Sequence, residues 1–331
     1  MVEPPVAAEG ADVEEVTEAL SAAGLGDGLP VVPPTAARLQ RMLSGVADPY
    51  RCLGVVPPLF GELTAAAVAY HAVLAGCRPA ELGVVLAAVR ACLEPGFNLL
   101  GVQTTTGTAA VVVVVHGPPV AALGLNTGAN VLGPGNRANA TIGRAVALAL
   151  AGIGGARPGV TNMATTGQPG GYTFCLPEPE HSPYPGLAER RGVAPGLGAV
   201  TVAAVGGTAE VLPWGGGASL PELLDPVAEL LACAALAAGD PARMGSCEQF
   251  VVLPPEVAAR LSGLGASLPQ VRRHLVEQGN RSLTQRLAGR SGPVAASLGD
   301  VHPIVTGGAG SKMLHLPGWI GGSRSVTRRL T

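Results

Sequence analysis

Two hydrophobic patterns alternate along this chain. Over Val13–Ala23, Ala36–Leu43, Gly61–Ala75, Pro79–Leu93 and Thr141–Ile153, apolar residues recur at three- and four-residue intervals, which predicts helices burying one face. Thr35 is placed to cap the second helix, Pro79 to open the fourth, and Pro95-Gly96 to stop it. The other pattern is the unbroken β-branched run. Ala109–Val115 ends in His116-Gly117-Pro118, Ala199–Val205 runs into Gly206-Gly207, and His302–Thr306 runs into Gly307-Gly308-Ala309-Gly310. Such runs suit strands covered on both faces. They predict an α/β fold: a layered sheet with flanking helices, glycine-rich loops at strand ends, and two similar lobes from a degenerate internal duplication. Function is expected where the strands end.

The break over Pro213–Ser219 divides the chain into an N-terminal lobe, 1–212, holding the main polar loops, and a C-terminal lobe, 213–331, completing the site. Phe250–Leu253 also reads as strand-like. Between the first two long strands lies an irregular stretch, Gly124–Gly198, broken by one helix and dense in Gly, Pro, Asn and Thr. Loops of that length in a compact protein carry function or are disordered. Tyr172, Phe174 and Tyr184 inside this one favour an ordered, functional loop.

Composition narrows the classes. At 331 residues and 47% hydrophobic the chain can bury a large core. With 13% charged residues and a net charge of −2 it offers no basic field for a nucleic-acid backbone. Its longest apolar runs, Thr108–Val115 and Ala145–Ile153, fall well short of the roughly 20 residues of a membrane span. Glu3, Glu9 and Asp12 make the start unlike a secretory leader, so a cytoplasmic protein is expected. The six cysteines form no C-x-x-C pair, which argues against structural zinc and a disulfide framework. Cys175 and Cys247 lie beside Gly/Pro turns, where exposure is expected, and they alone support redox chemistry as an alternative.

The most informative polar stretch is Asn126–Arg144. Its glycines allow close backbone approach, Asn139 or Thr141 opens a helix whose N–H groups favour anions, and Arg137 can fork onto carboxylate, sulfate or phosphate. The alternative is that its asparagines, Asn136 included, cap turns. Thr165, Gln168 and Tyr172 supply hydroxyl, amide and phenol groups on a second loop. Thr104–Thr106 form a hydroxyl-rich turn before the first strand. Ser311, Lys312 and His315 form a third loop after Gly310. Lys312 is the one lysine among 21 lysines and arginines, which suggests a point-charge contact to a ligand anion. The spacing is not that of a P-loop, and Gly24-x-Gly26-x-Gly28 is not a dinucleotide fingerprint. No H-E-x-x-H or G-x-S-x-G occurs, so no metal is expected. Asp27, between glycines, is either a general base or a turn former.

Six stretches carry a resemblance: Asp27-Gly-Leu-Pro-Val-Val-Pro-Pro-Thr35, Gly76-Cys-Arg-Pro79, Asn136-Arg-Ala-Asn-Ala-Thr-Ile-Gly-Arg144, Gly154-Gly-Ala-Arg-Pro158, Gly167-Gln-Pro169 and Arg324-Ser-Val-Thr-Arg328. Together they resemble a bacterial family that includes or accompanies proteins named for a U-G-S-C sequence. Met244-Gly-Ser-Cys247 shares only the last three letters of that name. The chain is also similar to cyclases of actinomycete natural-product pathways that close an aziridine ring by expelling sulfate.

The resemblance implies a cofactor-independent lyase acting on a small, anionic, amino-acid-like molecule by intramolecular displacement. Asp27 would be the base, with Tyr172 and Lys312 beside it in catalysis. Arg137, Lys312, Arg324 with Ser325, and the helix near Thr141 would hold the leaving anion or a substrate carboxylate. The Asn136–Arg144, Thr165–Tyr172 and Ser311–His315 loops are then expected to converge on one pocket. The alternatives are a thiol-redox or selenoprotein-partner role through Cys175 or Cys247, and a non-catalytic ligand-binding subunit. A small partner subunit and self-association are further expectations.

Overall fold

The computed structural model describes residues 4–240, 243, 245–286 and 292–330. Met244, and with it the full Met244–Cys247 match, lies outside these. The chain starts with α1 (Val13–Ala22), opened by the Asp12 carboxylate accepting from Glu14 N–H and Glu15 N–H, and α2 (Ala36–Met42), opened by Thr35. A hairpin of β1 (Gly54–Val56) and β2 (Gly61–Leu63) follows, then α3 (Ala65–Ala75), α4 (Leu82–Cys92) and α5 (Leu99–Thr104). The expected helix Gly61–Ala75 is therefore shorter. Its first residues pair as strand, and Thr64 caps the helix by accepting from Ala67 N–H.

Next come β3 (Ala110–His116), α6 (Pro119–Ala122), α7 (Arg137–Gly154), β4 (Cys175–Pro177), β5 (Ala199–Val205) and β6 (Ala209–Val211). The second half holds α8 (Leu220–Ala237), β7 (Gln249–Leu253), α9 (Pro255–Gly263), α10 (Leu268–Arg286), β8 (Val301–Val305), β9 (Met313–Pro317) and β10 (Val326–Arg329). The architecture is α/β with two four-stranded sheets, ordered β10-β5-β3-β4 and β6-β9-β7-β8.

The two sheets share one plan. In the first, β3 runs parallel to β4 and antiparallel to β5, and β5 runs antiparallel to β10. In the second, β7 runs parallel to β8 and antiparallel to β9, and β9 runs antiparallel to β6. The edge strands are exchanged: β6 follows β5 but pairs in the second sheet, and β10 follows β9 but pairs in the first. Each side of the expected division at 212 thus lends a strand to the other. The crossing is pinned by Gly206 N–H donating to Pro317 O at 2.8 Å and Trp319 N–H to Ala204 O at 2.9 Å.

Period-two alternation sorts the strand residues into layers. Ala110, Val112, Val114 and Leu176 from one sheet meet Phe250, Val252, Ile304 and Leu316 from the other in a seam between the sheets. The opposite faces carry Val113 and Val115 in the first sheet and Val251 and Leu253 in the second. They pack under α3, α4 and α7 on one side and under α8 and α10 on the other. The result is a helix–sheet–sheet–helix stack. Among the described residues, no single helix is long and apolar enough to cross a membrane.

The β1–β2 hairpin lies against the end of α7 with no room for a side chain. A Cβ on Gly61 would collide with Ile153 O. Gly61→Ala is expected to cost about 1–3 kcal/mol as the hairpin is pushed off the helix, measurable as a lowered midpoint in urea.

Candidate functional site

The seam is apolar along most of its length and polar at one end. His116 continues the inward row of Ala110, Val112 and Val114 at the carboxyl end of β3, and Glu178 follows β4. Thr201 on β5 and Thr327 on β10 complete a polar row across the first sheet. From below, Glu248 precedes β7 and His302 lies on β8. Arg191, from the loop after β4, reaches between them.

These groups form one hydrogen-bonded chain. The His116 ring meets Glu178 Oε2 through Nδ1 at 2.8 Å and Thr201 Oγ1 through Nε2 at 2.8 Å. Thr201 and Thr327 share a hydroxyl contact at 2.8 Å, and Arg191 Nη1 donates to Thr327 Oγ1 at 3.1 Å. Arg191 Nη2 then donates to Glu248 Oε1 at 3.1 Å and to Ser325 Oγ. Glu248 also accepts from His302 Nε2 at 2.8 Å, from Ser325 N–H, and from the Ser325 hydroxyl at 2.8 Å. Beyond it, Arg324 pairs with Asp300.

Electrostatics assign the charges. Burial alone would raise the Glu248 pKa, but the hydrogen bond and coulombic pull of His302 and the hydrogen bonds from Ser325 outweigh it and hold the carboxyl at about 2. Burial lowers the His302 pKa and prevails over the attraction of Glu248. Glu248 is therefore ionised, facing Arg191 and His302 Nε2 together. The other ring nitrogen of His302 is buried with no partner among the described residues, as is Arg190 Nε. Burial also pulls Arg190 down to about 10 against the opposing pull of Glu178. Buried charges kept at such expense mark functional sites more often than the rest of a core.

The chain of groups ends in a cavity. Where β3 and β4 finish, a pocket of about 360 Å³ is lined by His116, Glu178, Glu180, Ser182, Tyr184 and Glu189 among others. This is the carboxyl end of the parallel strand pair, the position that binds ligands in open α/β sheets. Glu178 is fixed by accepting from Leu187 N–H at 2.7 Å as well as from His116. The Tyr184 hydroxyl donates to Ala266 O at 2.9 Å, tying the cavity wall to the second half of the chain.

Most residues singled out from the sequence serve other ends. Arg137 is not a free guanidinium: it pairs with buried Glu81, which leaves it little to offer an anion. The helix begins at Arg137, so Asn139 and Thr141 lie within its first turns. Asn139 holds Asn126 N–H and O and Val131 O, while Asn136 donates to Asn130 O and Gly133 O. Both asparagines tie the loop, and Thr141 Oγ1 faces Glu81. Asp27 receives a bidentate fork from Arg144 at 2.7 and 2.8 Å. Burial would raise its pKa, but that fork and the Leu29 N–H keep it below the usual carboxylate range, which is unfavourable for a base.

Gln168 donates to Thr108 O and Val205 O, and Thr165 donates to Thr106 O. Even so, Asp27, Gln168 and Tyr172 line one cavity of about 270 Å³. Ser311 and Lys312 line a separate open one of about 670 Å³ with Asn130–Gly133. The Thr165–Tyr172 and Ser311–His315 loops therefore open on different cavities, and no residue of Asn136–Arg144 lines either of them. Lys312 is exposed and lies 3.3 Å from Glu210. His315 is buried against Gln249, and burial lowers its pKa to about 4, so it cannot hold an anion as imidazolium. Arg324 and Ser325 belong to the polar layer.

The two cysteines expected at exposed turns are buried instead. Burial pushes the Cys175 thiol up to about 12 and raises that of Cys247, whose Sγ–H faces Arg243 O and Trp319 O. A redox thiol needs the opposite shift. Native protein is expected to be labelled by iodoacetamide at exposed Cys52 and Cys233 and spared at Cys175 and Cys247, read by peptide mass mapping.

The residues that carry the polar layer leave faint traces in the sequence. His116 closes an apolar strand, and Glu189-Arg190-Arg191 is a charge run in a chain poor in charge. Nothing local marks Glu178, Glu248 or His302, which acquire meaning only when the strands are paired. Among the described residues, no group of three or more His, Cys, Asp and Glu is placed to hold a metal ion. No protein-family model matches the chain, and no curated protein is significantly similar to it.

Proposed function

We propose that the chain is an enzyme that moves a proton on the amine of a small amino-acid-like molecule, with His116 and Glu178 as its acid–base pair. The observation that carries this reading is the buried imidazole–carboxylate pair on the wall of the cavity at the ends of β3 and β4. Glu178 orients the ring through its 2.8 Å contact with Nδ1. Glu180 and Glu189 on the same wall suit an ammonium group. An amine freed of its proton is the nucleophile of a ring-closing lyase, so the cyclase reading is kept as the reaction type. The amine nitrogen attacks the carbon bearing the leaving group, the C–O bond breaks, sulfate departs, and His116 takes the proton. Six free cysteines suit a reducing cytoplasm.

The test uses 2-aminoethyl hydrogen sulfate as the probe. Sulfate release by the isolated protein, lost in Glu178→Gln, is the expected result. Neither release nor any amine binding at the His116 cavity by calorimetry would sink the proposal, and release only after adding a partner protein would favour the ligand-binding-subunit reading.

A second reading rests on the cavity lined by Asp27, Gln168 and Tyr172, where the Asp27 carboxylate, held in place by the Arg144 fork from outside the wall, would receive the substrate ammonium. Arg144→Lys would then abolish sulfate release while His116→Gln left it intact.

A further inference from the structure

A third face of the molecule gathers positive charge around an opening of its own. α2 presents Arg38 and Arg41 one turn apart, and the turn after α3 presents Arg78. They line a cavity of about 470 Å³ together with Val32, Met42 and Val73. Among the described residues, every charged group on its wall is an arginine.

The turn that aims Arg78 is closely specified. Gly76 adopts φ 85°, and Cys77 N–H reaches back to Ala72 O at 2.9 Å, closing α3 and bending the chain toward α2. The nearest buried acid, Glu81, is already occupied by Arg137 and by Arg78 N–H. Glu9 lies near Arg38 and Arg41 but outside the cavity wall, exposed to solvent and held by Ala37 N–H. Arg38 spends one N–H on Pro33 O at 2.9 Å, while among the described residues the Arg41 and Arg78 side chains make no hydrogen bond and no ion pair within 4.0 Å.

We propose that this cleft binds the dianionic phosphoryl group of a small phosphomonoester. Three arginines against the one nearby carboxylate of Glu9 leave the cleft at about +2. That matches a dianion. A carboxylate would satisfy one guanidinium fork and leave the others unpaired, whereas the oxygens of a phosphoryl group can receive several. The cavity exceeds a phosphate ion, and Val32, Met42 and Val73 give its remaining wall an apolar character that suits the organic part of an ester. The site is separate from the cavity at His116 and does not depend on the proposal made for it.

Titration calorimetry of the full chain at low ionic strength, with inorganic phosphate, phenyl phosphate and benzoate as probes, decides the matter. Phenyl phosphate is expected to bind, to weaken as salt is raised, and to bind at least tenfold more weakly to the Arg41→Ala/Arg78→Ala double variant. Both side chains are exposed, so the variant should keep the wild-type unfolding midpoint, and Lys312→Ala should bind as wild type. Phenyl phosphate tighter than inorganic phosphate identifies an ester as the ligand, and equal affinities identify free phosphate with the same phosphoryl contacts. Benzoate as tight as phenyl phosphate, no binding of either phosphate, or unchanged binding in the double variant would overturn the proposal.

Discussion

Glu248→Ala is expected to lower the free energy of unfolding by about 3–5 kcal/mol, because it leaves a buried guanidinium without its counter-charge. Glu248 accepts from Arg191, His302 and Ser325, so a single truncation strands several donors between the sheets. The pH dependence has a definite sign. The folded carboxyl is held at about 2 against an ordinary 4.5, so its stabilisation is present above the ordinary value and is lost as pH falls toward the folded one. Urea unfolding of wild type and variant from neutral pH down to about pH 3 should therefore show the difference narrowing as acid is added. A variant that unfolds like wild type at neutral pH would mean that the polar layer is hydrated and worth little.

His116→Gln is expected to cut turnover by about 10²–10⁴-fold, the usual contribution of a positioned acid or base. Glutamine keeps a hydrogen-bonding amide between Glu178 and Thr201, so the layer stays filled and the unfolding midpoint should move little. KM for the amine should change less than kcat, because the carboxylates of the cavity remain. A matching loss of stability and activity would reassign His116 to structure alone.

The long strands and the helices are legible in the sequence because each buries a continuous face. Ala199–Val205 matches the observed β5 residue for residue, and Thr35 caps α2 as its position implies. The short strands are not legible. β4 is Cys175–Pro177, and β6 and β10 carry Glu210 and Arg328-Arg329 on half-exposed edges, so their composition reads as loop. Glycine–asparagine richness at 126–139 is a true signal of an ordered loop, but the amides are spent on holding that loop rather than a ligand. Local sequence cannot separate these uses, since the same turn-forming amide serves both. Arg137 and Asp27 show the same limit for charge: their partners, Glu81 and Arg144, are remote in sequence, and pairing decides whether a charge is free. The arginines of the α2 cleft show the converse, being unremarkable until the fold brings Arg78 beside Arg38 and Arg41.

The exchange of β6 and β10 bears on how such a chain could be cut or built. Half of it, ending after β6, would carry an edge strand with no sheet of its own to join and a first sheet lacking its β10 edge. Two copies of that half would satisfy each other reciprocally about a twofold axis, which is the geometry of a dimer that trades arms. Joining the copies end to end converts a concentration-dependent handshake into a fixed one, and it frees the two halves to diverge. The cavity of carboxylates at the end of β3 and β4 and the glycine loop with Lys312 at the end of β8 stand in matching places on the two sheets, yet are lined by unlike residues.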